Sequence, residues 1–525
     1  MKIVIADELP VSAAALLRAE GWEVDARSGR PVDELTRDLA DADALVVRSA
    51  TKVTAELIAS SPGLRVIARA GSGVDNVDVT AATARGIVVM NAPGANSISV
   101  AELAFALILS LARHVPAADA TMKQGKWEKK RFKGEEVRGK TLGLAGLGRI
   151  GQEVARRGAA FGMRIIAHDP FIAEQVAADL DVELVSLDEL FAGADYLSMH
   201  MPSTPTTKGM VNAERLAAAK KGIRIINTAR GDLIVEAALA DAIESGHVGG
   251  AALDVFNVEP PTDPRLQKLP QVIATPHIAA STSEAQELVG VETAAALRDY
   301  LRDGLIRNAV NAPSVSTEEY ARLEPFLVLG ERLGAFLAQM TDARIQAIGV
   351  RYYGVLAEGR NDLLTSAVLV GLFKPILSSG VSAVNVRAIA TDRGMDVIES
   401  RSSRPRNFTR LMSVKLHTNE GERWAEGAVF DGTAPRLVLV DGIAVEAPLE
   451  GTMLILRNAD QPGVIGDVGT ILGRQGVNIA MFALGRVADR AIGVVNIDDT
   501  VALPEAALAE IRAVQAVVEA RVVRV

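Results

Sequence analysis

The 525-residue chain contains no cysteine, which excludes disulfides, thiolate-held zinc and thiol nucleophiles and fits a reducing compartment. Histidine is scarce at six residues and no His-Glu-x-x-His run occurs, so the search for a proton-transfer group is short and no metal is expected. Positive charge is not in excess. Lys and Arg total 56 against 65 Asp and Glu, a formal charge of −9, which counts against nucleic acid as a partner because that binding neutralises phosphates with clustered cations. Long apolar runs are missing too: the longest apolar helix candidate, Leu103 to Ala112, is too short for a bilayer and lies between Glu102 and Arg113. The first residues enter a strand-like run without the apolar core and cleavage site of a signal peptide. The expectation is a cytoplasmic protein with no membrane partner. Aromatic residues make up only 4%, so the 49% hydrophobic content leans on Ala, Val and Leu, an ordinary globular balance with 45 Gly.

At roughly 150 residues per domain, the length implies three or four domains. Residues 1 to about 95 alternate short β-branched runs (Ile3 to Ala6, Ala44 to Arg48, Val66 to Arg69, Ile87 to Asn91) with helical patterns, which predicts a doubly wound parallel sheet. One long helix is expected from Ser97 to Met122, started by a Ser cap. A second βα series from Thr141 to about Pro276 offers six strands, at 141–145, 164–168, 196–200, 223–228, 250–255 and 272–275, the number expected of a complete dinucleotide-binding sheet. Another helical pattern follows, Ser283 to Leu301. The simplest partition makes 98–282 a nucleotide-binding domain inserted into an outer domain built from 1–97 and 283–310. Residues 311–450 read as a separate α+β domain. Residues 451–525 read as strand, helix, strand, strand, helix, strand, the order of a small ferredoxin-like fold.

Gly146-Leu-Gly148-Arg149-Ile150-Gly151 matches G-x-G-x-x-G with a strand before it and a helix after it, and Asp169 ends the next strand. Each residue then has a function. Gly146 makes the tight turn, Gly148 admits a pyrophosphate to the backbone, Gly151 packs helix on strand, and the helix start at Arg149 and Ile150 attracts the phosphates. Asp169 would accept the adenosine ribose hydroxyls and repel a 2′-phosphate, which favours NAD over NADP. Gly134 to Thr141 also satisfies G-x-x-x-x-G-K-[ST], but Lys140 precedes a strand rather than a helix, so no nucleoside triphosphate site is expected there.

Three polar residues fall just past three strands of the second series: Arg230, Glu259 and His277, the last in Thr275-Pro276-His277. Ligands and catalytic groups gather outside such strand ends. With the fingerprint, this ordered set resembles the D-2-hydroxyacid dehydrogenase family over residues 1 to about 310. The resemblance implies that Arg230 pairs with the substrate carboxylate and carbonyl, that His277 is the general acid/base, and that Glu259 accepts a hydrogen bond from the imidazole and stabilises its cationic form. It also places Thr228, Ala229, Asp254 and Ala280 near the nicotinamide.

Two outer-domain segments, Arg48-Ser-Ala-Thr51 and Arg69-Ala-Gly-Ser72-Gly73-Val-Asp-Asn76, resemble the substrate segments of the phosphoglycerate dehydrogenase branch of that family, with Asn96 similarly placed. Arg48 and Arg69 would offer guanidinium groups to a phosphate, implying a phosphorylated hydroxy acid as substrate in the opening step of serine biosynthesis. A glyoxylate or hydroxypyruvate reductase, and a non-catalytic NAD-sensing interaction protein, remain alternatives. Lys129, Lys130 and Arg131 form either a solvated face or a reach toward a neighbouring subunit, and Arg401, Arg404, Arg406 and Arg410 either a solvated face or an anion site. Asn458-Ala-Asp460-Gln-Pro-Gly463 and Gly476-Val-Asn478 resemble an ACT domain, so Asn458, Asp460 and Asn478 would hold L-serine as effector. Relatives often carry His or Tyr at the position of Asn458, which leaves serine inhibition open. The family resemblance implies a homotetramer.

Overall fold

The computed structural model describes residues 1–359, 361–377, 380–404, 406–498 and 503–525. Four sheets follow one another along the chain. The first has five parallel strands in the spatial order Glu23–Ala26, Lys2–Ile5, Ala44–Val47, Val66–Arg69, Val88–Met90. The middle three strands are apolar except for Lys2 and Arg69 at their ends, because helices cover both faces. Helix Ser283–Asp303, from far along the sequence, closes this layer by packing against helix Val11–Arg18.

The second sheet has seven parallel strands, ordered Val272–Ala274, Gly250–Leu253, Arg224–Asn227, Tyr196–Met199, Thr141–Ala145, Arg164–His168, Glu183–Leu184. Chain order reverses between Thr141–Ala145 and Tyr196–Met199, the switch point where such sheets open a crevice. Six of these strands match the expected series. The seventh, like Glu23–Ala26 in the first sheet, is a short edge strand with little burial, and neither presents the apolar run that marks a strand in sequence.

The helix expected over Ser97 to Met122 is instead two, Ser97–Arg113 and Val115–Lys123, bent by 68°. His114 adopts the left-handed conformation (φ 55°), and Pro116 suits a first helical turn but not an interior. The cap position falls on Asn96, whose side chain makes no capping bond to the helix. Among the described residues no single helix is long and apolar enough to cross a membrane.

The third sheet is mixed: Asp396–Ser402 runs parallel to Ile345–Gly354, and four further strands between Arg410 and Pro448 continue it antiparallel. Helices Thr317–Gln339 and Asn361–Phe373 pack on each other beside it. The fourth sheet is antiparallel, in the order Ile479–Val487, Arg490–Ile497, Thr452–Ala459, Val517–Arg524, with helices Val464–Arg474 and Glu505–Arg512 completing a βαββαβ unit. One apolar cluster joins the third and fourth units: Leu329, Leu333 and Phe336 share it with Met453, Ile455 and Val523. The turn at about residue 450 divides the sequence pattern but not the core.

Candidate active site

A cleft of about 1760 Å³ opens between the first two sheets, lined from the outer side by Arg48, Arg69, Asp75 and Asn96 and from the inner side by Arg230, Glu259, His277 and Ala280. Both walls are strand ends, where backbone polar groups run out of sheet partners and side chains can be presented to a ligand.

The inner wall begins with the proton-transfer candidate. His277 Nδ1 lies 2.7 Å from Glu259 Oε2, and the other carboxylate oxygen accepts the Phe256 N–H at 3.1 Å. Glu259 therefore holds one ring nitrogen, and Nε2 is left for a ligand. His277 has φ 53°, a conformation that needs support. Asp254, fully buried, supplies it: its carboxylate accepts from the Thr275 hydroxyl at 2.6 Å and from the Ile278 and Ala279 N–H groups at 2.9 Å, while its carbonyl accepts the His277 N–H. Arg230 is held in a similar way. The buried Asn227 donates to the Arg230 carbonyl at 2.8 Å and accepts the Ala229 N–H at 3.0 Å, which shapes the short loop after its strand.

On the outer wall, Asp7 ends the first strand and latches the next strand end, accepting from Arg48 N–H and from the backbone and hydroxyl of Thr51. Asn76 donates to the carbonyls of Arg48 and Thr51. The hydroxyl of Ser72 donates to Asn96 Oδ1 at 2.8 Å. Arg69 is only partly exposed and makes no ion pair among the described residues, and its Nε is buried without a partner. Desolvation, followed by the nearby Arg230 and Arg48 cations, holds its pKa down to about 10. The Asp75 and Asp7 carboxylates oppose this shift without cancelling it, so a desolvated cation turned to a cleft creates a demand for an anion.

The residues around the fingerprint fit a dinucleotide. Gly146 has φ 99°, and a Cβ there would strike the His200 carbonyl at 2.4 Å; one on Gly151 would meet the Gly146 carbonyl at 2.3 Å; one on Gly148 would meet nothing. The turn is thus tight beneath and open above. Helix Arg149–Ala160 starts without a side-chain cap, so its first N–H groups, at Arg149, Ile150 and Gly151, remain for a pyrophosphate. The Arg149 side chain is engaged elsewhere, on the Pro93 carbonyl. Asp169 sits at the next strand end, accepting the Leu147 and Phe171 N–H groups. Thr228 has a buried hydroxyl with no partner, as expected of a group that meets the cofactor. His200, partly buried beside the turn with its ring Nδ1 shut off from solvent, has its pKa lowered to about 3 by desolvation and is neutral.

Residues 105–279 match the NAD-binding domain of D-isomer specific 2-hydroxyacid dehydrogenases, 322–441 the D-3-phosphoglycerate dehydrogenase intervening domain, and 452–514 the ACT domain. A D-3-phosphoglycerate dehydrogenase of Methanocaldococcus jannaschii is 42% identical over 98% of this chain and 97% of its own length. The chain belongs to the D-3-phosphoglycerate dehydrogenase family. A member from Synechocystis is 41% identical over 100% of this chain and 94% of its own. Among solved structures, a glyoxylate reductase from Paecilomyes thermophila (TM-score 0.55, 31% identity) covers 59% of this chain and 98% of its own. A D-lactate dehydrogenase from Aquifex aeolicus, complexed with NAD and lactic acid (TM-score 0.52, 29% identity), covers 60% and 100%. This family member is an NAD-dependent oxidoreductase.

Other expected residues lie apart. Asn458 is buried and donates to the Ala459 carbonyl, Asp460 faces Arg486 at 3.4 Å, and Asn478 is exposed before its strand. Lys129 to Arg131 form one exposed helical turn. Arg401, Arg404, Arg406 and Arg410 are exposed and do not line the cleft; Arg406 pairs with the buried Glu426 at 2.6 Å. Lys140 lies 3.3 Å from Glu135 and leads directly into a strand. Sequence reasoning missed Asp7, Asn227 and Asp75. Asp7, an acid directly after the first strand, carries a visible sign; Asn227 is short-range but reads as part of its strand.

One consequence is testable at the cofactor end. Asp169→Ala is expected to weaken NADH binding about tenfold, removing a charged acceptor of the ribose hydroxyls, and to narrow the NADH over NADPH preference. Fluorescence titration with both nucleotides measures it, and unchanged affinities would remove Asp169 from the cofactor site.

Proposed function

We propose that this chain oxidises D-3-phosphoglycerate to 3-phosphohydroxypyruvate with NAD, the first step of L-serine biosynthesis. The observation that carries the reading is the set of three arginines, Arg48, Arg69 and Arg230, around one cleft that also holds the His277–Glu259 pair. A substrate with two anionic groups answers three cations, with its carboxylate on Arg230 and its phosphate on Arg48 and Arg69.

In the proposed mechanism His277 Nε2 takes the proton of the C2 hydroxyl as the carbonyl forms, and returns it in the reverse direction. Glu259 keeps the ring aimed and stabilises the imidazolium. Arg230 fixes the carboxylate and polarises the developing carbonyl, so that C2 is presented at one angle. Bound NAD supplies the hydride acceptor. Gly146, Gly148, Arg149, Ile150, Gly151 and Asp169 hold the dinucleotide, and Thr228, Ala229, Asp254 and Ala280 shape its nicotinamide end, with Asp254 acting through the His277 loop. Ser72, Gly73 and Asn96 complete the outer wall. The protein works as a cytoplasmic homotetramer, and Asn458, Asp460 and Asn478 of the ACT domain receive L-serine.

Loss of NADH absorbance with 3-phosphohydroxypyruvate, hydroxypyruvate and glyoxylate, each with and without L-serine, tests this. The phosphorylated acid should turn over fastest, and serine should slow it. Preference for an unphosphorylated acid would point to a general hydroxyacid reductase; NADH binding without turnover of any acid would point to a sensor.

A further inference from the structure

We propose that Asp75 is a positioning residue for Arg230, aiming its guanidinium across the cleft at the substrate carboxylate. The inference rests on the reading of Arg230 given above.

The two residues stand on opposite walls: Arg230 follows the inner strand Arg224–Asn227, and Asp75 lies on the loop after the outer strand Val66–Arg69. Asp75 Oδ2 accepts from Arg230 Nε at 3.0 Å, and the Ala229 carbonyl accepts from Nη1 at 2.7 Å. Glycine at 73 leaves room for the third corner, since a Cβ there would lie 1.9 Å from Nη2. A planar group held by hydrogen bonds at two of its nitrogens has one orientation. Nε donates its single hydrogen to Asp75, so the unspent donors are on Nη1 and Nη2, the terminal edge that takes a carboxylate in two parallel bonds.

The pair adds little energy by itself, because the Asp75 side chain is 68% exposed and exposed ion pairs contribute little. Its contribution is direction. Two effects of removing it therefore oppose each other. Asp75 is an anion beside the landing place of an anion, so loss of its charge would by electrostatics alone lower the substrate KM. Loss of orientation raises KM and lowers kcat together, because a misdirected fork leaves the reacting carbonyl out of line. Since the pair bridges the two walls, the fork is correctly aimed only when they stand this close together.

The test compares Asp75→Ala, which removes the acceptor, with Asp75→Glu in the full-length protein, with 3-phosphohydroxypyruvate and hydroxypyruvate as separate substrates and NADH affinity measured alongside. D75A should raise KM about tenfold for both acids by the same factor, lower kcat, and leave NADH affinity unchanged; D75E should recover most of the loss. A KM that falls or stays constant in D75A overturns the proposal, as does a D75E variant no better than D75A. An effect confined to the phosphorylated acid also overturns it, moving the influence of Asp75 to Arg69. Wild-type protein that turns over neither acid refutes the functional reading and the proposal with it, whereas wild-type turnover with an unaffected D75A refutes the proposal alone.

Discussion

His277→Asn should lower turnover by about 10²- to 10⁴-fold, the usual contribution of a positioned general acid or base, while NADH affinity stays within about twofold of the parent. Asparagine is the informative replacement. Position 277 has φ 53°, and asparagine tolerates this left-handed conformation better than alanine does, so the loop keeps its shape and the loss reports on the imidazole. The loop has its own anchors in any case, because the bonds from Asp254 go to Thr275, Ile278, Ala279 and the backbone of residue 277, not to the ring. NADH binding should survive because the fingerprint turn lies at the ends of other strands, Thr141–Ala145 and Arg164–His168. Rapid-mixing turnover and fluorescence titration on one preparation measure both quantities. A variant that keeps its kcat but binds NADH much more weakly would place His277 in the cofactor site.

The candidate site was legible in the sequence where its assembly depends on local spacing. Strand, G-x-G-x-x-G, helix and a carboxylate at the next strand end all occur between Thr141 and Asp169, and their meaning needs no distant contact. Arg230, Glu259 and His277 were legible for a related reason: each follows a strand of a parallel sheet, whose carboxyl ends share one side. What binds one wall of the cleft to the other was not legible. Asp75 and Arg230 are 155 residues apart, and nothing in either segment signals the other. The same holds for the parallel pairing of Ile345–Gly354 with Asp396–Ser402, and for the core shared by Phe336 and Val523. Single backbone events were also missed. His114 divides a helix whose apolar spacing runs on into Val115, because the repeat records which face is buried and not where the axis bends.

Arg69→Met should make the free protein more stable and a worse enzyme for one substrate only. The Arg69 guanidinium is partly buried, has an unpartnered Nε, and sits near two further cations. A base whose folded pKa is depressed to about 10 is less favourably protonated in the folded state than in the unfolded chain. At neutral pH both states carry the proton, so the full penalty, roughly 3 kcal/mol in order of magnitude, is present; it is relieved only as pH rises above the folded value. Methionine keeps much of the stem's packing and removes the charge, so the outer domain should melt a few degrees higher. The same change should lower kcat/KM for 3-phosphohydroxypyruvate by about 10²-fold, as losing one partner of a desolvated charged contact does, and leave hydroxypyruvate nearly untouched. Inorganic phosphate adds an independent measurement: by mass action it should raise the melting temperature of the parent and not of the variant. A variant that melts lower and keeps its preference for the phosphorylated acid would make Arg69 a structural cation. If both shifts appear, the strain at Arg69 and the selectivity it confers have one cause, because a cation that selects a phosphate by charge is one that the fold desolvates without giving it an ion-pair partner of its own.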